Sequence, residues 1–149
     1  MSLKLQITDS MKTAMRAGDK PRLGTIRLIL AAIKQIEVDE RLDVLPDDRI
    51  LVCLDKMMKQ RRESIHQFEK AERNDLAEQE KFELTIIQEF LPAQLQENEV
   101  ADMIVAAISE TGASSIKDMG KIMAILKPKM QGRADMGKVS SMIKDKLNA

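Results

Sequence analysis

His66 is the only histidine of the chain, and Glu63-Ser64-Ile65-His66 has the Glu-x-x-His spacing that places two ligands on one helix face in di-iron bundles. Such a centre needs the motif twice, so no metal ligand is assigned. No serine sits in a GxSxG elbow, and no strand is available to carry one, so a Ser-His-acid triad finds no frame. Cys53, the single cysteine, falls on the buried-looking side of a long helical pattern and reads as a core thiol. It also excludes an internal disulfide, a Cys-rich zinc site and a CxxC redox pair. Phosphate-cradling loops of the GxxxxGK[ST] and GxGxxG types are missing, and Gly120 and Gly137 stand isolated inside helical patterns. Glu78, Glu80 and Glu83 read as a charged helix face. No catalytic residue and no cofactor are therefore expected.

Electrostatic chemistry is left. The 24 Lys+Arg balance 24 Asp+Glu, so the whole molecule has no net pull toward a polyanion. The balance is uneven along the chain. Residues 1–91 carry 16 basic against 17 acidic side chains. From Gly112 onward Lys117, Lys121, Lys127, Lys129, Arg133, Lys138, Lys144 and Lys146 face only Asp118, Asp135 and Asp145, a local charge of +5. Residues 127–134 are expected to form a loop whose Gly132 permits an unusual backbone angle. Arg133 would then stand before the N-terminus of a last helix, where free N–H groups favour a phosphate. The pattern suits a grip on a nucleic-acid backbone; a solvated face is the competing reading. On the longer helix, Lys56, Lys59, Arg61, Arg62 and Arg73 oppose Glu63, Glu69 and Glu72. Pairs such as Lys59 with Glu63 and Glu69 with Arg73 account for that face without a ligand.

These side chains must be positioned by helices, because apolar spacing is helical throughout. Ser2 can cap a first helix ending near Gly18, with Leu3, Ile7, Met11, Ala14 and Met15 on its stripe. Asp19 caps a second, which tolerates Pro21 in its first turn and faces Leu23, Ile26, Leu30 and Ile33 inward. After a polar connection, Pro46, Asp47 and Asp48 suit the start of a long helix carrying Ile50, Leu54, Met57, Arg61, Ile65 and Phe68 to about Arg73. Asn74 and Asp75 restart the chain for a fourth, with Leu76, Phe82, Ile86, Ile87 and Phe90. Leu91-Pro92 is the expected domain boundary, since proline disfavours helical geometry at the residue before it. Three shorter patterns follow: Val100, Met103, Ile104, Ala107 and Ile108, ended by Thr111-Gly112; Ser115, Ile116, Met119, Met123 and Leu126, ended near Pro128; and Val139, Met142, Ile143 and Leu147, capped by Asp135. The expectation is an all-α chain, with a four-helix domain over residues 1–91 and a three-helix domain over residues 92–149.

A chain of 149 residues with 44 % hydrophobic content can build a core. Three Phe, no Tyr and no Trp leave no stacking platform for exposed bases, which excludes single-strand readers built on aromatics. The N-terminal residues alternate apolar with charged, and no run approaches the roughly 18 apolar residues of a membrane span. With one cysteine, these features lead to the expectation of a soluble cytoplasmic protein with no membrane partner.

Three stretches together resemble one family. AMRAGDKPRLGTIRLILAAIKQIEVDER, residues 14–41; QRRESIHQFEKAERNDLAEQEKFELTIIQEFLPAQL, residues 60–95; and IKDMGKIMAILKPKMQGRADMGKVSSMIKDKL, residues 116–147, look like the YqeY family, with DMGK followed by GRAD as its most specific run. That family's sequence is shared with the C-terminal helical and tail part of the B subunit of the glutamine-dependent aminoacyl-tRNA amidotransferase. The resemblance implies an all-α protein with a larger N-terminal and a small C-terminal helical domain. In the amidotransferase the related tail leans against the outer corner of the tRNA, while ATP-dependent activation and glutamine hydrolysis belong elsewhere. Carried over position by position, the RNA-facing set is Lys117, Lys121, Lys127, Lys129, Arg133 and Lys138. Met136 stands where a smaller residue is frequent, and Phe90 where tyrosine often precedes Leu-Pro.

The resemblance thus implies a non-catalytic helical module that binds tRNA or another structured RNA through its backbone. Two rivals stand beside it. One is a participant in, or accessory to, carbon–nitrogen ligase activity with glutamine as amide donor, working with a protein partner in tRNA-dependent amidation or translation. The other is a protein-interaction adaptor.

Overall fold

The computed structural model describes residues 2–148, and among them every regular element is helical. The backbone divides into two compact units, residues 1–92 and 93–149.

In the first unit, α1 (Leu3–Ala17) begins where the Ser2 side chain accepts the Leu5 N–H at 3.3 Å. It ends at Gly18, whose φ of 67° is the left-handed conformation that closes a helix cheaply only in glycine. The Asp19 carboxylate then accepts the Arg22 N–H at 3.2 Å to open α2 (Lys20–Asp39), with Pro21 in the first turn where its missing N–H costs nothing. Asp47 and Asp48 stand at the positive end of α3 (Asp47–Lys70), and α4 is Asn74–Glu89. Apolar spacing on these four helices puts Ile7, Ile26, Ile29, Ile33, Ile50, Leu54 and Ile87 out of water, together with Leu45 from the connection before α3. Helices α3 and α4 make the most extensive pair, and α1 packs on α2.

Two expected core residues of this unit lie outside: Met15 is 51 % and Phe82 38 % exposed. Each sits at the margin of its stripe, where a helical wheel assigns a face but not the width of the neighbour that covers it. The basic side of α3 is also built differently from the intrahelical pairing expected. Arg61 is half-buried and reaches α4, its Nε 3.2 Å from Glu83 and 3.7 Å from Glu80. Arg73 pairs with Asp75 at 3.1 Å, and Glu69 with Lys81 at 3.4 Å. The Arg61 and Glu69 pairs cross to α4 because the two helices pack extensively on one another, while Arg73–Asp75 is a local pair at the start of α4.

In the second unit, α5 (Glu97–Thr111) ends at Gly112, again left-handed at φ 67°. A single 3₁₀ turn (Ile116–Asp118) leads into α6 (Met119–Met130), and α7 (Met136–Asn148) follows. The core is Val100, Ile104, Ala107, Ile122, Leu126, Met130, Val139 and Ile143. Pro128 does not end its helix: α6 runs two residues past it. In a last turn proline's fixed φ is already helical and only one ladder bond is forfeited. Lys127 and Lys129 therefore stand on the last turn of α6 rather than in a loop, and the connection shrinks to residues 131–135. Ile116, expected on the buried stripe, is 46 % exposed because the 3₁₀ turn breaks the helical period there.

Candidate nucleic-acid interface

The short α6–α7 connection is a clamp, and it decides what Arg133 can do. Gly132 is buried at φ 78°. Its carbonyl accepts from the Gln94 side chain at 2.8 Å, and the Arg133 carbonyl accepts the Leu95 N–H at 2.8 Å. Arg133 is half-buried, and its Nε donates to the Ala93 carbonyl at 3.2 Å. The sequence places Arg133 among the RNA-facing cations; in the structure its Nε holds the Ala93 carbonyl and its own carbonyl holds Leu95, while its terminal guanidinium nitrogens carry no hydrogen bond or ion pair among the described residues. Alanine at 132 has to adopt the left-handed region, so Gly132→Ala is expected to cost the second unit about 1–2 kcal/mol. Urea unfolding followed by circular dichroism measures that loss.

The expected phosphate pocket at the start of α7 is likewise taken. The Asp135 carboxylate accepts the Gly137 N–H at 3.0 Å, so the helix supplies its own anion there. Met136 packs against the core of the unit.

The lysines are differently placed, and all of them are exposed. Lys117 lies in the 3₁₀ turn. Lys121, on the first turn of α6, comes no nearer than 4.0 Å to Asp118, and Lys138, on the first turn of α7, no nearer than 4.0 Å to Glu97. Among the described residues Lys117, Lys127 and Lys129 make no ion pair within 4 Å. These cations are thus desolvated by nothing and committed to little. Sequence reasoning missed the other half of the pattern: Glu97, Glu99, Asp102 and Glu110 all lie on α5, which carries no basic residue. Charge in this unit is sorted by helix, acidic on α5 and basic on α6 and α7. A helix-by-helix charge count carries that signal, whereas the running total hides it.

The remaining reactive groups sit in the first unit. Cys53 is 7 % exposed, and burial pushes its thiol pKa up, against the opposing pull of Lys56, which is the opposite of an activated nucleophile. His66 is exposed on α3, and among the described residues no three metal-ligating side chains converge. Glu80 has its pKa raised, first by burial and then by Glu83, with Arg61 opposing both. Arg61 binding both carboxylates makes that cluster a bridge between α3 and α4.

Fold and site together define a small all-helical module whose chemistry is charge sorted onto the helices of its second unit. The chain belongs to the YqeY-like family, whose model, described as Yqey-like protein, matches residues 4–147. Relatives share this sequence at moderate identity. The chain is 38 % identical over 87 residues to the mitochondrial protein named altered inheritance of mitochondria protein 41 of Eremothecium gossypii, a match covering 58 % of this chain and 48 % of the relative. The protein of the same name in Pyrenophora tritici-repentis is 32 % identical over 123 residues, 78 % of this chain and 67 % of the relative. That of Kluyveromyces lactis is 34 % identical over 87 residues, 58 % and 47 % respectively. The chain spans about half the length of most of the curated relatives it matches.

These names overturn the expectation of a cytoplasmic protein, since the relatives are called mitochondrial. The reason the expectation failed is physical. A single buried cysteine, and no helix among the described residues long and apolar enough to cross a membrane, do not select among compartments.

Proposed function

We propose that this chain is a non-catalytic helical module of two domains, residues 1–91 and 92–149, that binds structured RNA such as tRNA through the backbone contacts of its C-terminal domain. The observation that carries this reading is the sorting of charge in the second unit, where α5 carries the carboxylates and α6 and α7 carry exposed lysines, of which only Lys138 comes within 4.0 Å of an α5 carboxylate, that of Glu97. Exposed ammonium groups exchange their counterions for phosphates, which supplies affinity without reading bases. The lack of Trp and Tyr fits a ligand recognised by shape. A protein partner in tRNA-dependent amidation would supply any chemistry, because glutamine hydrolysis needs a nucleophile and ATP activation needs phosphate and magnesium ligands.

If four to six cations engage phosphates, the logarithm of the binding constant falls with the logarithm of salt with a slope of roughly −3 to −5. Fluorescence anisotropy of labelled tRNA over a salt series measures it. A slope near zero, or no binding at low salt, overturns the proposal. The adaptor reading has one observation in its favour, a groove of about 400 Å³ between α2 and α3 floored by Ala32, Ile36, Val52 and Met57. A partner captured equally before and after nuclease treatment would favour it.

A further inference from the structure

One side of α3 is left open along most of the helix. Val52, Lys56, Gln60, Ser64 and Gln67 follow one another at three or four residues and so share that side. The stretch up to Gln60, with Ala32 and Ile36 of α2, lines a groove of about 400 Å³; the stretch from Gln60 to Phe68 lines a depression of about 460 Å³, and Gln60 belongs to both. At 1.5 Å per residue the strip from Arg49 to Phe68 is about 28 Å long. Packing within the unit does not claim it. The buried residues of α3 all lie between Ile50 and Met58, and on the groove wall Val52 stays 46 % exposed. Leu28, one turn before Ala32 on the same side of α2, is 47 % exposed.

The polar groups of this strip divide into those already engaged and those left over. The Gln35 amide donates to Asp39 at 2.8 Å, and the Arg49 guanidinium is held by Glu40. Lys56 and Lys59, a turn apart, are exposed, and their ammonium groups make neither hydrogen bond nor ion pair among the described residues. The Lys56 ammonium stands close enough to the floor to oppose the effect of burial, the larger of the two, on the Cys53 thiol. Two free cations beside an apolar floor ask for carboxylates beside an apolar stripe. Glu63, one turn past Lys59, ends the positive stretch and makes the strip a poor track for phosphates. Both walls are α-helices, whose N–H and C=O groups are bonded along their own ladders, so an extended peptide finds no edge to pair with. The occupant must satisfy its own backbone, and about 28 Å is the length of a helix of about five turns.

We infer that the groove between α2 and α3 docks an acidic amphipathic helix of a partner protein, its apolar stripe on Ala32, Ile36, Val52 and Met57 and its carboxylates on Lys56 and Lys59. The inference concerns the first unit alone, so it stands whether or not the second unit binds RNA, and it names the partner chemistry that an adaptor would need. The apolar floor supplies most of the affinity, because a helix stripe laid there removes Val52, Ile36 and its own side chains from water together. The rim decides which helix is accepted. An exposed ion pair contributes little by itself, whereas a cation brought against Lys56 and Lys59 is repelled. Beyond them Gln60, Ser64 and Gln67 offer uncharged polar groups to the flank of the same helix.

The test uses the intact chain and three fluorophore-labelled helical peptides of about 18 residues. One has a leucine stripe flanked by glutamates, one has lysines in place of those glutamates, and one has the composition of the first with its leucines dispersed. Anisotropy gives the affinity and thiol labelling gives the place, with circular dichroism confirming that the helices of each variant persist. Val52→Cys sets a reactive thiol on the exposed wall of the groove, and Lys12→Cys sets one on the exposed side of α1 as the control. At about ten times its dissociation constant the acidic peptide is expected to slow labelling at position 52 about tenfold and to leave position 12 unchanged. Lys56→Glu combined with Lys59→Glu is expected to weaken the acidic peptide about tenfold and to make the lysine peptide the better ligand, while Lys12→Glu combined with Lys20→Glu changes neither. Equal affinity for the three peptides, binding unaltered by reversal of the rim, or undiminished labelling at position 52 overturns the inference. Protection of position 52 by tRNA assigns the groove to RNA, and protection that grows with protein concentration in the absence of peptide assigns it to a second copy of this chain; either result overturns it as well.

Discussion

Replacing Glu37 by alanine is expected to destabilise the first unit by about 3 kcal/mol, a drop in melting temperature of more than about 10 °C. The size follows from where this carboxylate sits. Its side chain, in the last turns of α2, is only 2 % exposed, and both oxygens accept from the Lys4 ammonium at 2.9 and 2.7 Å. One of them also accepts the N–H of Leu45 at 2.8 Å. Leu45 is itself 1 % exposed, so Glu37 joins α1, α2 and the connection before α3 through a single buried group. Alanine leaves the Leu45 N–H without its partner in a place water does not reach, and opens a void beside it. Lys4 suffers less, because at 30 % exposure its ammonium turns to solvent.

The same contacts hold the Glu37 pKa below the usual carboxylate range, the Lys4 hydrogen bond first and the Leu45 N–H second, with burial opposing them. A carboxylate whose pKa is depressed by folding contributes its full stability above its unfolded value and loses it as pH falls through the folded one. Thermal melts of the unaltered protein should therefore weaken as pH is lowered through the carboxylate range. Glu37→Gln keeps the volume and one acceptor for Leu45 but sets an amide against the ammonium. It should lose less stability than alanine at neutral pH and show a shallower decline toward acid. An identical acid profile in the glutamine variant would show that Glu37 does not carry this dependence.

How much of this was readable beforehand depends on the range of the interaction. Ser2, Gly18, Asp19 and Gly112 act on backbone within a few residues of themselves, and each stands at the helix end its type predicts. Glu37 gives no local signal of its role, since its partners lie 33 and 8 residues away in sequence. Arg61 interrupts the apolar stripe of α3, and the structure answers it with two carboxylates from α4. Of the six cations expected at the interface, the five lysines stand exposed and Arg133 is half-buried in the α6–α7 clamp. Arginine's fork makes it as useful for holding carbonyls as for holding phosphates, and residue type alone does not separate the two uses.

Ile104→Ala is the companion result, expected to remove much or all of the stability of the second unit. Ile104 is fully buried in α5 among only eight buried core residues. Truncating such an isoleucine costs about 2–5 kcal/mol in lost transfer energy and residual cavity. A domain of this size, at roughly 0.05–0.15 kcal/mol per residue, holds about 3–9 kcal/mol in all, so the loss consumes much or all of it. Because the two cores share no residue, the helices of the first unit should persist. The helical dichroism is then expected to fall by about a third, the share contributed by α5, α6 and α7, and hydrogen-exchange protection to vanish in those three helices alone. Val105→Ala is the contrast: one residue along the same helix but 47 % exposed, it should change stability by no more than about 0.5 kcal/mol. RNA affinity should follow the fold, lost with Ile104→Ala and kept with Val105→Ala. If protection in α1 to α4 collapsed together with α5 to α7, the two cores would be one cooperative body, and the charge-sorted unit could not act as a module of its own.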